Sequence, residues 1–178
     1  MKAELARCRV RAGYPVVLLY FWLAHPRPGW LAAGAALGLA GLAIRGLAAG
    51  YLRKNEGLAT AGPYAWTRNP LYFGSAWLAA GLAIAAHSWL AAAVVAAYFL
   101  AFYPATLHRE ETELAAHYGR DFLDYAARVP LFWPRPPRSP APSRKFSWAL
   151  YRRNHEYNAA LGLAVVVALL AIKMIWLA

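Results

Sequence analysis

Apolar residues along this 178-residue chain come in long, nearly unbroken runs, separated by short stretches rich in Arg, Pro and Gly. A helix rises about 1.5 Å per residue, so about twenty apolar residues cross a hydrocarbon core of about 30 Å. Residues 30–51, 89–107 and 158–178 reach or nearly reach that length; 71–87 is slightly short and 10–24 shorter still. The pattern predicts an all-α integral membrane bundle of about five transmembrane helices, over 10–24, 30–51, 71–87, 89–107 and 158–178. Together they make a single membrane domain, 1–178.

The breaks between runs add detail. Only His87 and Ser88 separate the third and fourth spans, which implies a tight helical hairpin. Pro104 lies one turn before the end of the fourth span, where a missing N–H tends to kink a helix. Residues 130–142 hold six prolines among Arg and Ser, so 130–145 reads as an extended linker. The mixed aromatic and basic segment 146–157 suits the membrane interface. In the second span, Gly34/Gly38 and Gly46/Gly50 have the small-xxx-small spacing that lets helices approach closely. Arg45 sits about one and a half turns inside that span's end, and either snorkels to the headgroups or faces a buried anion.

Composition agrees: 61% of residues are hydrophobic and 15% charged, too apolar for an ordinary soluble domain. The net charge of +11 does not point to nucleic acid, because the cations lie in several loops rather than in one patch. Sixteen of the nineteen Lys and Arg, including Lys2, Arg7, Arg9, Lys54 and Arg138, fall before or at the very start of the first span, between spans two and three, or between four and five. The opposite loops carry only Arg27. By the positive-inside rule the N-terminus and both polar loop regions are cytoplasmic, in an inner or plasma membrane. The N-terminal segment is expected to be a retained span, since HPRPGW offers no small-residue cleavage site. One cysteine, Cys8, leaves no intrachain disulfide.

Two polar segments then stand out on that same side. The first, 62–75, reads GPYAWTRNPLYFGS. Its Gly-Pro marks a turn, and Asn69-Pro70 reads as the cap and first residue of the third span. The aromatics alone are consistent with an interfacial belt, and Arg68 with a topology charge; their crowding is what suggests a site. The second, within 107–134, begins LHREETELAAHYGRDFLDYAARVP, and helical spacing puts Glu110, Glu113 and His117 on one face. A solvated face is the plain alternative. His108, Glu111 and His117 lack the HExxH spacing of a zinc site, so no metal is expected.

Together the segments resemble the membrane-embedded methyltransferases that use S-adenosylmethionine, a superfamily with isoprenylcysteine carboxyl methyltransferase and phospholipid methyltransferase branches. Gly62, Tyr64, Arg68, Asn69, Pro70, Tyr72 and Gly74 match the family's first motif. Glu110, Glu111, Leu114, Tyr118, Gly119, Tyr125, Val129, Pro130, Phe132 and Pro134 match the second. The resemblance covers about residues 45–134. It implies a cytoplasmic-side cofactor pocket, with Tyr64, Arg68, Asn69, Pro70, Tyr72, Gly74, Glu110 and Glu111 binding the cofactor. Arg68 and Glu111 are the residues it implies for catalysis. The Glu pair suits the cofactor's ammonium or ribose, and Arg68 its carboxylate. Tyr64 and Tyr72 suit the adenine or sulfonium, a cation–π contact being worth about 0.5–2 kcal/mol. The implied acceptor is a lipid or lipid-like molecule in the bilayer. Leu131 stands where carboxyl-methylating members carry Arg, and Asn69 where the isoprenylcysteine branch has His, so carboxylate, amine and other acceptors stay open. A nicotinamide-dependent membrane reductase on a related scaffold and a non-catalytic interaction protein are the alternatives.

Overall fold

The computed structural model describes residues 2–53, 57–137 and 144–176, with side chains from residue 11 onward. Lys54, Arg138, the linker stretch 138–143 and the last two residues of the fifth expected span lie outside the described residues, as do the side chains of Lys2, Arg7, Cys8 and Arg9. Among the described residues the chain is all helical: α1 (Lys2–Leu23), α2 (Pro28–Tyr51), α3 (Pro70–Ala85), α4 (Trp89–Tyr118), α5 (Arg120–Arg128), α6 (Trp148–Arg153) and α7 (Tyr157–Trp176), with a 3-10 turn at Gly62–Ala65.

Each expected span is found as a helix, but among the described residues α2, α4 and α7 alone are both long and apolar enough to cross a membrane. The sixteen residues of α3 cover about 24 Å, less than a typical hydrocarbon core. The largest departure is α4. It covers the span expected over 89–107 and continues without a break in helix, with Pro104 inside it, for 30 residues to Tyr118. At about 45 Å it outreaches the hydrocarbon by several turns, which carries Glu110, Glu111 and Glu113 beyond it on a rigid helix. Gly119 ends it with φ +51 and ψ −122, a backbone shape that a Cβ disfavours, so α5 starts at the very next residue in a new direction.

The α2–α3 pair is the tightest in the bundle because glycine meets glycine. A Cβ on Gly41 would stand 2.6 Å from the Gly74 carbonyl, and one on Gly81 would stand 2.6 Å from the Gly34 carbonyl. The working pairs are therefore Gly34/Gly41 against Gly81/Gly74. Gly38 faces Leu163 of α7, while Gly46 faces Tyr151 of α6 and Gly50 faces Phe146 just before it. At the end remote from the polar segments, Tyr20, Ala24, Leu31, Ala85, Ala86, Ala91 and Leu170 form a buried cluster. There the Tyr20 hydroxyl donates to the Leu82 carbonyl (2.8 Å) and the His25 amide to the Ala86 carbonyl (2.8 Å). At the other end, Asn154 Nδ2 donates to the carbonyls of Ala49 (3.0 Å) and Leu52 (2.9 Å), satisfying backbone that helix termination leaves open.

Candidate functional site

The two polar segments meet at one end of the bundle, and backbone pairing holds them. The Arg68 amide donates to the Pro130 carbonyl (2.9 Å) and the Arg135 amide to the Trp66 carbonyl (2.9 Å). Between them Thr67, only 2% exposed, donates its hydroxyl toward the carbonyls of Leu131 (3.2 Å) and Phe132 (3.0 Å). Pro70 begins α3 as expected, but Asn69 does not cap it with its side chain. Its Nδ2 instead donates to the Leu131 carbonyl (3.1 Å), because a buried carbonyl across the junction competes with the orphan helix amides.

This junction places Arg68 against α4. Its Nη2 donates to Glu111 Oε2 (2.8 Å), and Nε lies 2.8 Å from Oε1 in a close ionic contact whose N–H is poorly aligned for a hydrogen bond. The remaining Nη1 donates to the Ala126 carbonyl on α5 (2.8 Å), and the guanidinium carbon sits 6.0 Å from the Phe122 ring centre. One turn into α3, the Tyr72 hydroxyl donates to Glu110 Oε1. Adjacent carboxylates on α4 are thus held by different elements, Glu110 by α3 and Glu111 by the loop before it. Glu113 is held near Arg109 (3.4 Å) on its own helix and is more exposed.

A cleft of about 790 Å³ opens between these walls, within the size range of small-molecule sites. Tyr64, Arg68, Asn69, Pro70, Tyr72, Glu110 and Glu111 all line it, with Glu113, His117, Phe122 and Tyr125. Gly74 does not: it faces α2, where a Cβ would strike the Arg45 stem (2.6 Å to Cγ) and the Gly41 carbonyl (2.7 Å). It is a packing residue behind the site. The cleft carries both signs of charge and aromatic faces. Tyr125 donates its hydroxyl to the Tyr64 carbonyl (2.7 Å), whereas the Tyr64 hydroxyl is buried with no partner among the described residues. Burial pushes both hydroxyls well above their usual range, with nearby Glu110 adding to the effect at Tyr64. An orphaned buried hydroxyl beside a carboxylate-lined cleft is what a ligand's polar group would satisfy.

A second hollow, of about 270 Å³ and mostly apolar, runs along α4 past Phe99, Tyr103 and Leu107 to His108 and Glu111, with Leu131 and Phe132 as its far wall. Glu111 belongs to both hollows. Among the described residues no three His, Cys, Asp or Glu gather closely enough to hold a metal ion.

Sequence reasoning missed Glu156. This residue is 7% exposed, just before α7, and is paired with Arg45 Nε. The signal was an arginine inside an apolar span, which requires an anion nearby. Arg45 therefore faces a buried anion and does not snorkel.

The phospholipid methyltransferase family model matches residues 34–121, which bears out the resemblance to the membrane methyltransferase superfamily. The chain is similar to the cobalt-zinc-cadmium resistance protein CzcN of Cupriavidus metallidurans, 36% identical over 65% of this chain and 54% of that protein. It is also similar to the nickel-cobalt-cadmium resistance protein NccN of Alcaligenes xylosoxydans xylosoxydans, 39% identical over 47% of this chain and 38% of that protein. The chain thus spans about half the length of the first relative and less of the second. No solved structure matches it.

Proposed function

We propose that this chain, with the phospholipid methyltransferase pattern over residues 34–121, transfers a methyl group from S-adenosylmethionine to a lipophilic acceptor that arrives from the bilayer. The observation that carries the reading is the joining of the two motif segments into one cleft, through Arg68–Glu111 and Tyr72–Glu110.

The residues present fit such a cofactor. Glu110 and Glu111 would hold its ammonium or ribose, Tyr64 and Tyr72 would pack its adenine or sulfonium, and the Tyr64 hydroxyl offers a free hydrogen-bonding group. Arg68 is already bound to Glu111 and Ala126, so it would meet a ligand carboxylate only by sharing its guanidinium. Its first task in this reading is to hold Glu111 in place. When bound, S-adenosylmethionine supplies an electrophilic methyl group for in-line displacement, a step in which positioning carries much of the rate.

The apolar hollow along α4 supports a lipophilic acceptor. It would take an acyl or prenyl chain against Phe99, Tyr103 and Leu107 and bring the head of that molecule to His108 and Glu111. An amine acceptor has to lose a proton before it can attack, and a carboxylate does not; Glu111 at the meeting point suits the first case as proton acceptor. By the distribution of basic residues the cleft faces the cytoplasm. A nicotinamide-dependent reductase is the weaker reading, because the cleft walls carry three carboxylates where a dinucleotide's phosphates would need cations.

Incubation of the purified protein with methyl-labelled S-adenosylmethionine and total membrane lipid, followed by mass analysis, tests the reading. The relatives' names set the growth conditions worth comparing, namely lipid from cells with and without added cobalt, zinc or cadmium. Label in a lipid fraction is expected; label remaining wholly in the donor under all conditions counts against methyl transfer.

A further inference from the structure

Arg45 and Glu156 are 111 residues apart in sequence and form an ion pair just behind the cleft. The pair is sheltered, at 22% and 7% side-chain exposure. Arg45 does more than neutralise Glu156. Its Nη1 donates to Ser75 Oγ and, at 3.3 Å, to the Leu71 carbonyl, while Ser75 Oγ itself donates to that carbonyl (2.9 Å). Every one of these α3 contacts falls on its first turn and a half. That is the segment whose Tyr72 holds Glu110 and whose Pro70 and Leu71 line the cleft. Gly74 leaves room for the arginine stem to lie flat there.

Glu156 reaches this place because α6 is docked on the end of α2. Asn154 caps the α2 carbonyls, the Ser147 amide donates to the Gly50 carbonyl (3.0 Å), and Tyr151 packs over Gly46. His155, at φ +54, then turns the chain into the start of α7. All of these C-terminal residues lie outside the family-matched segment 34–121.

We infer that Glu156 is a positioning residue of the cleft: through Arg45 it fixes the first turn of α3, and so the Tyr72–Glu110 contact, which makes residues 144–157 a required part of the site. For its kinetic consequence the inference rests on the methyl-transfer reading; for its structural consequence it stands on the geometry alone. A buried ion pair replaced on both sides by apolar groups of similar size commonly keeps the fold, whereas removal of one partner strands a charge. The informative variant is therefore Arg45→Met with Glu156→Leu.

In that double variant, reconstituted in lipid, hydrogen exchange at the amides of residues 72–76 is expected to rise at least about tenfold while the melting temperature stays near that of wild type. KM for S-adenosylmethionine is expected to rise about tenfold with kcat within about twofold, since the change loosens the site without touching the reacting groups. Wild-type exchange at 72–76 in a folded double variant overturns the inference. Should the double variant not fold, Ser75→Ala cuts one link without stranding a charge; exchange about threefold faster at 72–76 is expected, and no change overturns the inference equally. If wild type proves not to bind the cofactor, the methyl-transfer reading fails and the exchange measurement alone decides the role of Glu156.

Discussion

Arg68, on the loop before α3, lies side-on against Glu111 of α4, with Nη2···Oε2 and Nε···Oε1 both at 2.8 Å. The pair joins the two segments that carry the family motifs, and Nη1 adds α5 through the Ala126 carbonyl. A planar fork with two donating nitrogens and a third in ionic contact is something lysine cannot copy. In Arg68→Lys the charge survives but the link to Ala126 does not, and a loss of about 1–2 kcal/mol is expected. Thermal unfolding in detergent, followed by the fluorescence of Trp66 and its neighbours, would measure it; an unchanged melt would mean the fork is dispensable.

Tyr72→Phe removes one hydroxyl and leaves the ring packed edge-on against Tyr103 at 5.6 Å. One hydrogen bond to a carboxylate contributes about 1.5–3 kcal/mol when fully retained and less when water substitutes. Cofactor affinity about tenfold weaker, with insertion and melting near wild type, is the expected outcome in a titration of membrane-reconstituted protein.

Gly41→Val forces a branched side chain into the 2.6 Å gap beside the Gly74 carbonyl. A destabilisation of about 3 kcal/mol or more is expected, since backbone meets backbone and neither can yield. Gly162→Ala is the control, because nothing lies within 4 Å of a Cβ there. Paired melts of the two variants measure the difference, and equal melts would show that α2 and α3 need no close approach.

Alkaline titration addresses the tyrosines of the cleft. Burial holds the Tyr64 and Tyr125 hydroxyls above the ordinary value of 10.0, so the folded state keeps them protonated where the unfolded chain would release the proton. Their contribution to stability is full below pH 10 and falls as the pH rises from there toward their folded values. Tyrosinate absorbance should show a late-ionising fraction that shrinks by two tyrosines in Tyr64→Phe with Tyr125→Phe; a fraction that persists unchanged would place the late-ionising hydroxyls elsewhere.

Much of the architecture was legible from the sequence, for a simple reason. A run of twenty apolar residues has one inexpensive conformation in lipid, and basic loops mark its ends. The two motifs were legible because their residue types and spacing are unusual between spans. What stayed hidden was set by contacts between distant segments. Asn69 follows the local capping rule by position, yet its side chain serves the Leu131 carbonyl, 62 residues away. Gly74 sits inside the motif but packs against Arg45 behind the cleft. The helical spacing of residues 110–117 was legible, but its continuity with the preceding span was hidden, because Pro104 and the end of the hydrophobic run at residue 107 both suggest a break. Glu156 belongs to no motif; only the cost of an unpaired Arg45 pointed toward it.

Calorimetric titration of the membrane-reconstituted protein with S-adenosylmethionine and its demethylated product tests the central claim most directly. Saturable binding by wild type, lost in Arg68→Ala and in Glu111→Gln while both variants remain folded and inserted, is the predicted result. No binding by wild type would contradict the account, and wild-type affinity in both variants would contradict the site.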